Sequence, residues 1–238
     1  MLNKKVTITT VFVIVMAAVF LVSGCARTKQ ARSAKKHSGF LGDYSMLEKG
    51  KKGEPLMVYK NPDADWPSYS KILLDPVDIL SKAKEQASST PQEDYQMLAN
   101  NFYALLYEEL SEDYEMVKEP GPRTIRVQIA LTDVEKSWAA VNTVTSVIPV
   151  GIVISAGKEF ATGKPAFVGE VAIEAKALDA RTGQVLVMGI DRRVGSNSLR
   201  ASVDNWDDAN KILELWSKMM RFRFCKLRGD KDCTVPKE

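Results

Sequence analysis

The stretch GEVAIEAKALDARTGQVLVMGIDRRV, residues 169–194, decides the fold that this sequence predicts. Apolar and polar side chains alternate over 167–178, which is the pattern of a strand with one buried face. The next five residues, 179–183, favour a turn because Gly183 can adopt a positive φ without steric cost. The chain then returns over 184–194, so the stretch predicts an antiparallel hairpin.

Four further segments predict the remaining elements. Residues 124–134 alternate in the same way and predict a half-buried strand. Residues 69–80 also predict a strand, and Pro76 places it at a sheet edge or gives it a bulge because proline donates no hydrogen bond. Residues 91–113 and 206–224 carry apolar side chains at helical spacing. The order of elements predicts an α+β fold, with two principal helices packed on a mostly antiparallel sheet.

The N-terminal residues have the anatomy of a secretory signal peptide. Two lysines precede an uninterrupted apolar run over 11–22, and two small residues then lead to Cys25. The apolar run is shorter than the ~20 residues that a membrane-spanning helix needs. We therefore predict a signal peptide over 1–24, which is removed before Cys25.

The stretch LVSGC, residues 21–25, resembles the lipobox of bacterial lipoproteins. In that family the cysteine thiol receives diacylglycerol, the preceding peptide is cut away, and the new amine is acylated. The resemblance implies that Cys25 is lipidated, and more than one acyl chain makes such an anchor durable. An uncleaved anchor with an unmodified cysteine is the alternative. Ala26 follows where enteric inner-membrane lipoproteins commonly have aspartate, which implies the periplasmic face of the outer membrane and leaves the inner membrane open.

The residues after Cys25 differ in composition from the rest of the chain. Residues 26–36 contain five basic side chains, no acid and no large apolar side chain. They predict a flexible lipidated tether over 25–37, either solvated or in contact with anionic head groups, and then a single domain over 38–238. Loss of Lys4 and Lys5 lowers the formal charge from +3 to +1, which gives no electrostatic reason to expect a nucleic-acid partner.

Four stretches together resemble one family of bacterial lipoproteins, the domain-of-unknown-function family 3313. They are SGFLGDY (38–44), LLDPV (73–77), VTSVIPVG (144–151) and GEVAIEAKALDARTGQVL (169–186). The family has no assigned activity, so the resemblance implies a compartment and not a function. The order of elements is also similar to the small domains of curli-secretion lipoproteins and of the amino-terminal part of the Tol translocation protein. Those domains serve in envelope assembly and protein contact.

No pattern of catalytic or metal-binding residues stands out in the sequence. His37 is the only histidine and lies in the predicted tether, which favours a solvated residue over a member of a catalytic triad. Three aspartates at 204, 207 and 208 crowd a predicted helix start, where carboxylates complement the helix dipole, and this is favoured over a calcium site. We expect no metal and no cofactor.

Two cysteines remain after Cys25. No histidine lies near Cys225 or Cys233, so zinc is not predicted. In an oxidising compartment these two cysteines predict a disulfide, and two free thiols are the alternative.

The segment over 138–157, WAAVNTVTSVIPVGIVISAG, has no charged side chain. Three alternatives stay open: burial under the sheet, exposure for self-association or partner contact, and association with the membrane. The hypothesis of an interaction surface centres on Val147, Ile148, Pro149 and Val150.

These observations lead to a functional hypothesis without catalysis. We expect a lipid-anchored outer-membrane lipoprotein that faces the periplasm and acts as a scaffold or accessory in envelope assembly or transport. The alternative is an envelope hydrolase, for example on peptidoglycan, that uses a carboxylate pair, but no pair stands out among the 30 acids. A deep cleft with convergent acids would favour the hydrolase, and an apolar exposed surface would favour a binding module.

Overall fold

The computed structural model describes residues 28–33, 37–80, 92–135, 170–194 and 207–236. Within these ranges, nine strands form one sheet and two long helices accompany it. The strands are β1 (Lys29–Gln30), β2 (Glu48–Lys49), β3 (Met57–Lys60), β4 (Lys71–Leu74), β5 (Asp78–Ile79), β6 (Glu115–Met116), β7 (Thr124–Glu135), β8 (Glu170–Asp179) and β9 (Val185–Val194). The helices are α1 (Gln92–Ser111) and α2 (Asp207–Arg228). Neither of these helices is long and apolar enough to cross a membrane.

The three long strands form the antiparallel centre of the sheet. The strand order is β2-β3-β9-β8-β7-β4-β6, with β1 also paired to β9 and β5 also paired to β7. Strands β7, β8 and β9 pair antiparallel, whereas β4 and β5 run parallel to β7, and β6 runs parallel to β4. The predicted α+β fold with a mostly antiparallel sheet and two packed helices is confirmed.

One face of the sheet, here called the helix face, is defined by Val127, Ile129, Leu131, Ile173 and Ala177, all of which belong to the main hydrophobic core. Both helices pack against this face. Their buried contributions include Leu98, Phe102, Leu106, Leu110, Ile212, Leu213 and Trp216. Each large apolar side chain that is fully buried contributes about 1.5–3 kcal/mol, so apolar burial holds the helices in place.

The opposite face, here called the loop face, is defined by Gln128, Glu174, Lys176, Met188 and Ile190. Residues 37–47, which precede β2, cover it. In this segment Leu41 packs against Met188 and Ile190 to form a second, smaller core.

Polar contacts fasten this covering segment to the sheet. The backbone N–H of Ser38 donates to Oε1 of Glu174 at 2.8 Å, and the Tyr44 hydroxyl donates to Oε2 of the same carboxylate. Gly39 and Gly42 have φ of 96° and 82°, a left-handed conformation that glycine adopts most readily. The stretch SGFLGDY is therefore the cover of the loop face.

The predicted hairpin is present as β8 and β9. Asp179 closes its turn, because Oδ1 accepts hydrogen bonds from the backbone N–H groups of Arg181 (3.0 Å) and Thr182 (2.7 Å). Gly183 has a φ of 74°, as the turn requires. The strand predicted over 69–80 is broken into β4 and β5, and Pro76 lies in the break.

The second helix is longer than its apolar pattern predicts. It continues to Arg228 and ends before Gly229, which has a φ of 85°. The predicted disulfide is confirmed: Cys225, in the last turns of α2, is bonded to Cys233. This bond holds the C-terminal segment against the end of the helix.

The structure differs from the predicted flexible tether at residues 28–31. Lys29 lies opposite Val194 and Gln30 opposite Arg193, so this segment extends the sheet beside β9. The Gln30 side-chain amide also donates to Oδ1 of Asp191 at 2.7 Å. Composition did not reveal this pairing because backbone hydrogen bonds need no apolar side chains.

Candidate functional site

A cavity of about 660 Å³ lies between α2 and the part of the helix face formed by β3, β8 and β9. Its size falls within the ~300–1,000 Å³ that is typical of small-molecule sites. Apolar side chains form most of its wall, including Val58, Ile173, Ala175, Val187, Trp216 and Met219.

The sequence leaves room for this cavity because small residues lie side by side on the sheet. Ala175 on β8 is directly opposite Gly189 on β9, and both line the cavity. A Cβ at position 189 would lie only 2.9 Å from the carbonyl oxygen of Met57, so glycine allows β3 to approach β9 closely. On the helix side, Met219 and Met220 have flexible side chains that adapt to different shapes.

Asp191 lines the cavity, and its carboxylate is fully engaged. The side chain is 3% exposed. The indole Nε1 of Trp216 donates to Oδ2 at 2.7 Å, and Gln30 donates to Oδ1 at the same distance. Arg193 places its Nε 3.8 Å from Oδ2. These contacts fix Asp191 as the junction between β9, β1 and α2.

Arg223 lines the cavity, and its charged guanidinium has few hydrogen-bond partners. Its Nη2 donates to the carbonyl oxygen of Gly53 at 3.1 Å. Its Nε is inaccessible to solvent and has no hydrogen-bond partner among the described residues. Burial lowers the pKa of Arg223, although the charges of Asp191 and Glu54 oppose this shift.

Glu54 is the second carboxylate of the cavity and is also occupied. It forms an ion pair with Lys60 and accepts a hydrogen bond from the backbone N–H of Lys51 at 2.8 Å. The hydrogen bond from Lys60 is the main reason that its pKa lies below the ordinary value. Both carboxylates of the cavity lining therefore hold partners within the domain.

The cavity lining contains none of the sequence-predicted site residues that the structure describes, since Cys225 and Cys233 lie outside it. Cys25 and the hypothetical interaction surface Val147, Ile148, Pro149 and Val150 lie outside the described residues. His37 stacks on Tyr44 with ring centroids 4.0 Å apart, in the segment that covers the loop face. No group of three or more His, Cys, Asp or Glu side chains able to hold a metal occurs in the part of the chain that the structure describes.

Sequence reasoning missed the polar residues of the cavity, although one signal was available. Asp191 follows Gly189 on the inward-facing side of an apolar strand, and it lies opposite the cavity residue Ile173. A charged side chain at such a position needs buried partners, which marks it for attention. Arg223 gave no comparable signal, because arginine is common on helices with an exposed face.

Comparisons with known proteins identify a family and several solved structures of low similarity. No functionally curated protein matches the sequence. A PelC dodecamer from Paraburkholderia phytofirmans is 9% identical with a TM-score of 0.39, covering 74% of this chain and 96% of that chain. Protein XCC0632 from Xanthomonas campestris is 13% identical with a TM-score of 0.32, covering 71% and 87%. Lipoprotein GNA1162 from Neisseria meningitidis is 16% identical with a TM-score of 0.23, covering 54% and 85%.

The sequence itself matches one protein family over most of its length. The family model described as "Protein of unknown function (DUF3313)" matches residues 36–220, which include the segment over the loop face, the central strands and most of α2. The family predicted from the four sequence stretches is thereby confirmed, whereas the similarity to curli-secretion and Tol domains stays a prediction. The chain belongs to the DUF3313 family.

Proposed function

We propose that this protein is a non-enzymatic lipoprotein, anchored through lipid on Cys25 and facing the periplasm, that assists envelope assembly or transport by binding an apolar group in its cavity. The observation that carries the proposal is the cavity of about 660 Å³ between α2 and the sheet. Its apolar wall favours the transfer of an apolar group out of water.

The pairing of β1 supports a position close to the membrane. Thr28 is buried and accepts a hydrogen bond from Arg193, so the sheet holds the chain only three residues after Cys25. Three fully extended residues span at most about 11 Å. A lipid on Cys25 would therefore keep the domain, and the cavity with it, near the bilayer surface.

The carboxylates of the cavity support binding over hydrolysis. Asp191 accepts hydrogen bonds from Trp216 and Gln30, and Glu54 is paired with Lys60. Asp191 is also only 3% exposed, which leaves a substrate little access to its carboxylate.

Binding of an apolar dye tests whether the cavity takes up apolar groups. The neutral dye N-phenyl-1-naphthylamine should bind the wild-type protein with increased fluorescence. Ala175→Leu adds apolar bulk beside Gly189 and should reduce dye affinity at least about tenfold, which corresponds to ~1.4 kcal/mol. Ala104→Leu, at an exposed position of α1, is the matched control and should bind as the wild type does. Failure of the dye to bind the folded wild-type protein would contradict the proposal.

Intact mass tests the anchor separately. Protein extracted from membranes should begin at Cys25 and carry added acyl mass, and Cys25→Ser should leave the lipidated pool. An unmodified chain that starts at Met1 would show that the anchor is wrongly assigned.

We also propose self-association or docking to an envelope partner through Val147, Ile148, Pro149 and Val150. The basis is the charge-free run over 138–157 in the sequence. Ile148→Asp should weaken association in sedimentation experiments and leave thermal unfolding unchanged. A variant that unfolds the isolated domain would instead identify this segment as core.

A further inference from the structure

We propose that the ligand of the cavity is a single-chain amphiphile with an acidic head group, which binds Arg223 while its acyl chain lies along the apolar wall. This inference rests on the proposed function, because it specifies the ligand of the same cavity. Two sources share this chemistry, namely a long-chain fatty acid and a one-chain anionic phospholipid.

The state of Arg223 is the first argument for an acidic head group. Among the described residues its guanidinium has one hydrogen-bond partner, the neutral carbonyl of Gly53, although a guanidinium carries five N–H donors. A partly buried positive charge is costly unless an anion and further hydrogen bonds compensate for it. The planar guanidinium fits both carboxylate and phosphate groups.

The nearby carboxylates do not fill that role. Asp191 is held by Trp216 and Gln30, and Glu54 by Lys60. No ion pair links Arg223 to either carboxylate within the described ranges. An anion from the ligand therefore has a partner in Arg223 without displacing an existing contact.

The remaining charges of the cavity lining also favour an anion. Lys52 and Lys226 line the cavity and are exposed at its rim. Lys176 also borders the cavity, and its ammonium donates to the carbonyl oxygen of Phe40 on the loop face at 2.9 Å. Two exposed lysines beside Arg223 create a positive potential that attracts an acidic head group.

The apolar wall and the volume specify the rest of the ligand. Side chains of Val58, Ile173 and Trp216 offer no charge to an acyl chain, and Met219 can adjust to its path. A volume of about 660 Å³ suits one chain with its head group. The short connection between Thr28 and Cys25 would bring the cavity near a source of such molecules.

Competition titrations against the dye test this inference with three ligands that share one chain. Palmitate and palmitoyl-lysophosphatidylglycerol should each bind the wild-type protein at least about tenfold more tightly than neutral monopalmitoylglycerol. Arg223→Gln should lower the affinities for both acidic ligands to about that for monopalmitoylglycerol, whereas Arg223→Lys should retain most of the preference. Lys218→Gln, which removes an exposed charge from the same helix, is the matched control. If palmitate binds more tightly than the lysophospholipid, the ligand is a fatty acid. If the lysophospholipid binds more tightly, the ligand is a one-chain anionic phospholipid.

The outcomes separate this inference from the proposed function. Equal affinities for the acidic and neutral ligands would overturn the role of Arg223 and leave apolar binding intact. Absence of binding by all three ligands and by the dye would overturn both. If Arg223→Gln does not fold, the ratio of palmitate to monopalmitoylglycerol affinity in the wild-type protein decides the question.

Discussion

The helix face and the loop face belong to the same three strands, yet different kinds of contact cover them. On the helix face, Phe102 and Ile212 are completely buried within one large apolar core. On the loop face, a small core around Leu41 is accompanied by the buried carboxylate of Glu174. That carboxylate accepts hydrogen bonds from Ser38 and Tyr44. The first cover depends mainly on buried area, with one buried hydrogen bond from Trp216 to Asp191, and the second combines a small apolar core with a few directional contacts.

This difference has a consequence for where a binding cavity can form. Apolar packing is adjustable as long as volume and patterning are kept, so a helix can lie over small residues and leave space. A buried carboxylate is much less tolerant, because losing one donor leaves its charge unsatisfied. The cavity lies on the helix face, between α2 and the strand pair around Ala175 and Gly189, where the buried Asp191 keeps its donors Trp216 and Gln30.

The largest loss of stability should come from a substitution on the helix-face core. Phe102→Ala removes a completely buried ring from the centre of the main core. We expect the free energy of unfolding to fall by about 3–5 kcal/mol in urea titrations. Met97→Ala, on the exposed side of the same helix, should change stability by less than about 0.5 kcal/mol. Similar losses for both variants would contradict the proposed difference between buried and exposed positions of α1.

Reduction of the disulfide should have the next largest effect. The bond between Cys225 and Cys233 closes a short loop after α2 and holds the segment that includes the cavity residue Val235. We expect a loss of about 2–3 kcal/mol on reduction, in the chain-entropy account. Urea titrations with and without dithiothreitol measure this loss of unfolding free energy. The double variant Cys225→Ser/Cys233→Ser is the control and should not respond to dithiothreitol.

Tyr44→Phe tests whether directional contacts hold the loop face. The variant keeps the ring but removes a donor to the buried Glu174, and we expect a loss of about 2 kcal/mol. Burial and the bond to Glu174 raise the pKa of Tyr44 above 10, so this contribution is present below pH ~10 and is lost as the pH rises further. The wild-type protein should therefore lose stability above pH 10 to a greater extent than Tyr44→Phe does. An unchanged unfolding midpoint for the variant at pH 7 would show that the Tyr44 hydroxyl does not stabilise the loop.

The same contrast explains how much the sequence could predict. Periodicity identified the hairpin, β7 and both helices, because a buried face repeats every two or 3.6 residues along the chain. It could not reveal β1, β2, β3 or β6, which are two to four residues long and too short to show a period. The pairing of Lys29 and Gln30 was hidden by a basic composition that is typical of flexible segments.

The candidate site was even less predictable than the fold. Its residues come from distant parts of the chain. Gln30, for example, donates a hydrogen bond to Asp191, which lies 161 residues later in the sequence. The disulfide was predictable because the predicted oxidising compartment and the two cysteines left after Cys25 suffice to suggest it. The stretch SGFLGDY was visible as a family feature, but only the contacts of Ser38 and Tyr44 with Glu174 give it a physical meaning.

The smallest effect should come from the uncovered part of the loop face, where Arg126 and Asp75 form an ion pair with an N–O distance of 2.8 Å. The Arg126 side chain is 46% exposed, so water and salt screen its charge and holding the pair costs side-chain entropy. Arg126→Gln should therefore lower the free energy of unfolding by only about 0.2–1 kcal/mol, and by less in 1 M salt. Gln128 also donates to Asp75, at 2.7 Å, so the carboxylate keeps a partner in the variant. A loss as large as that of Tyr44→Phe would show that exposed contacts on this face matter as much as the buried one.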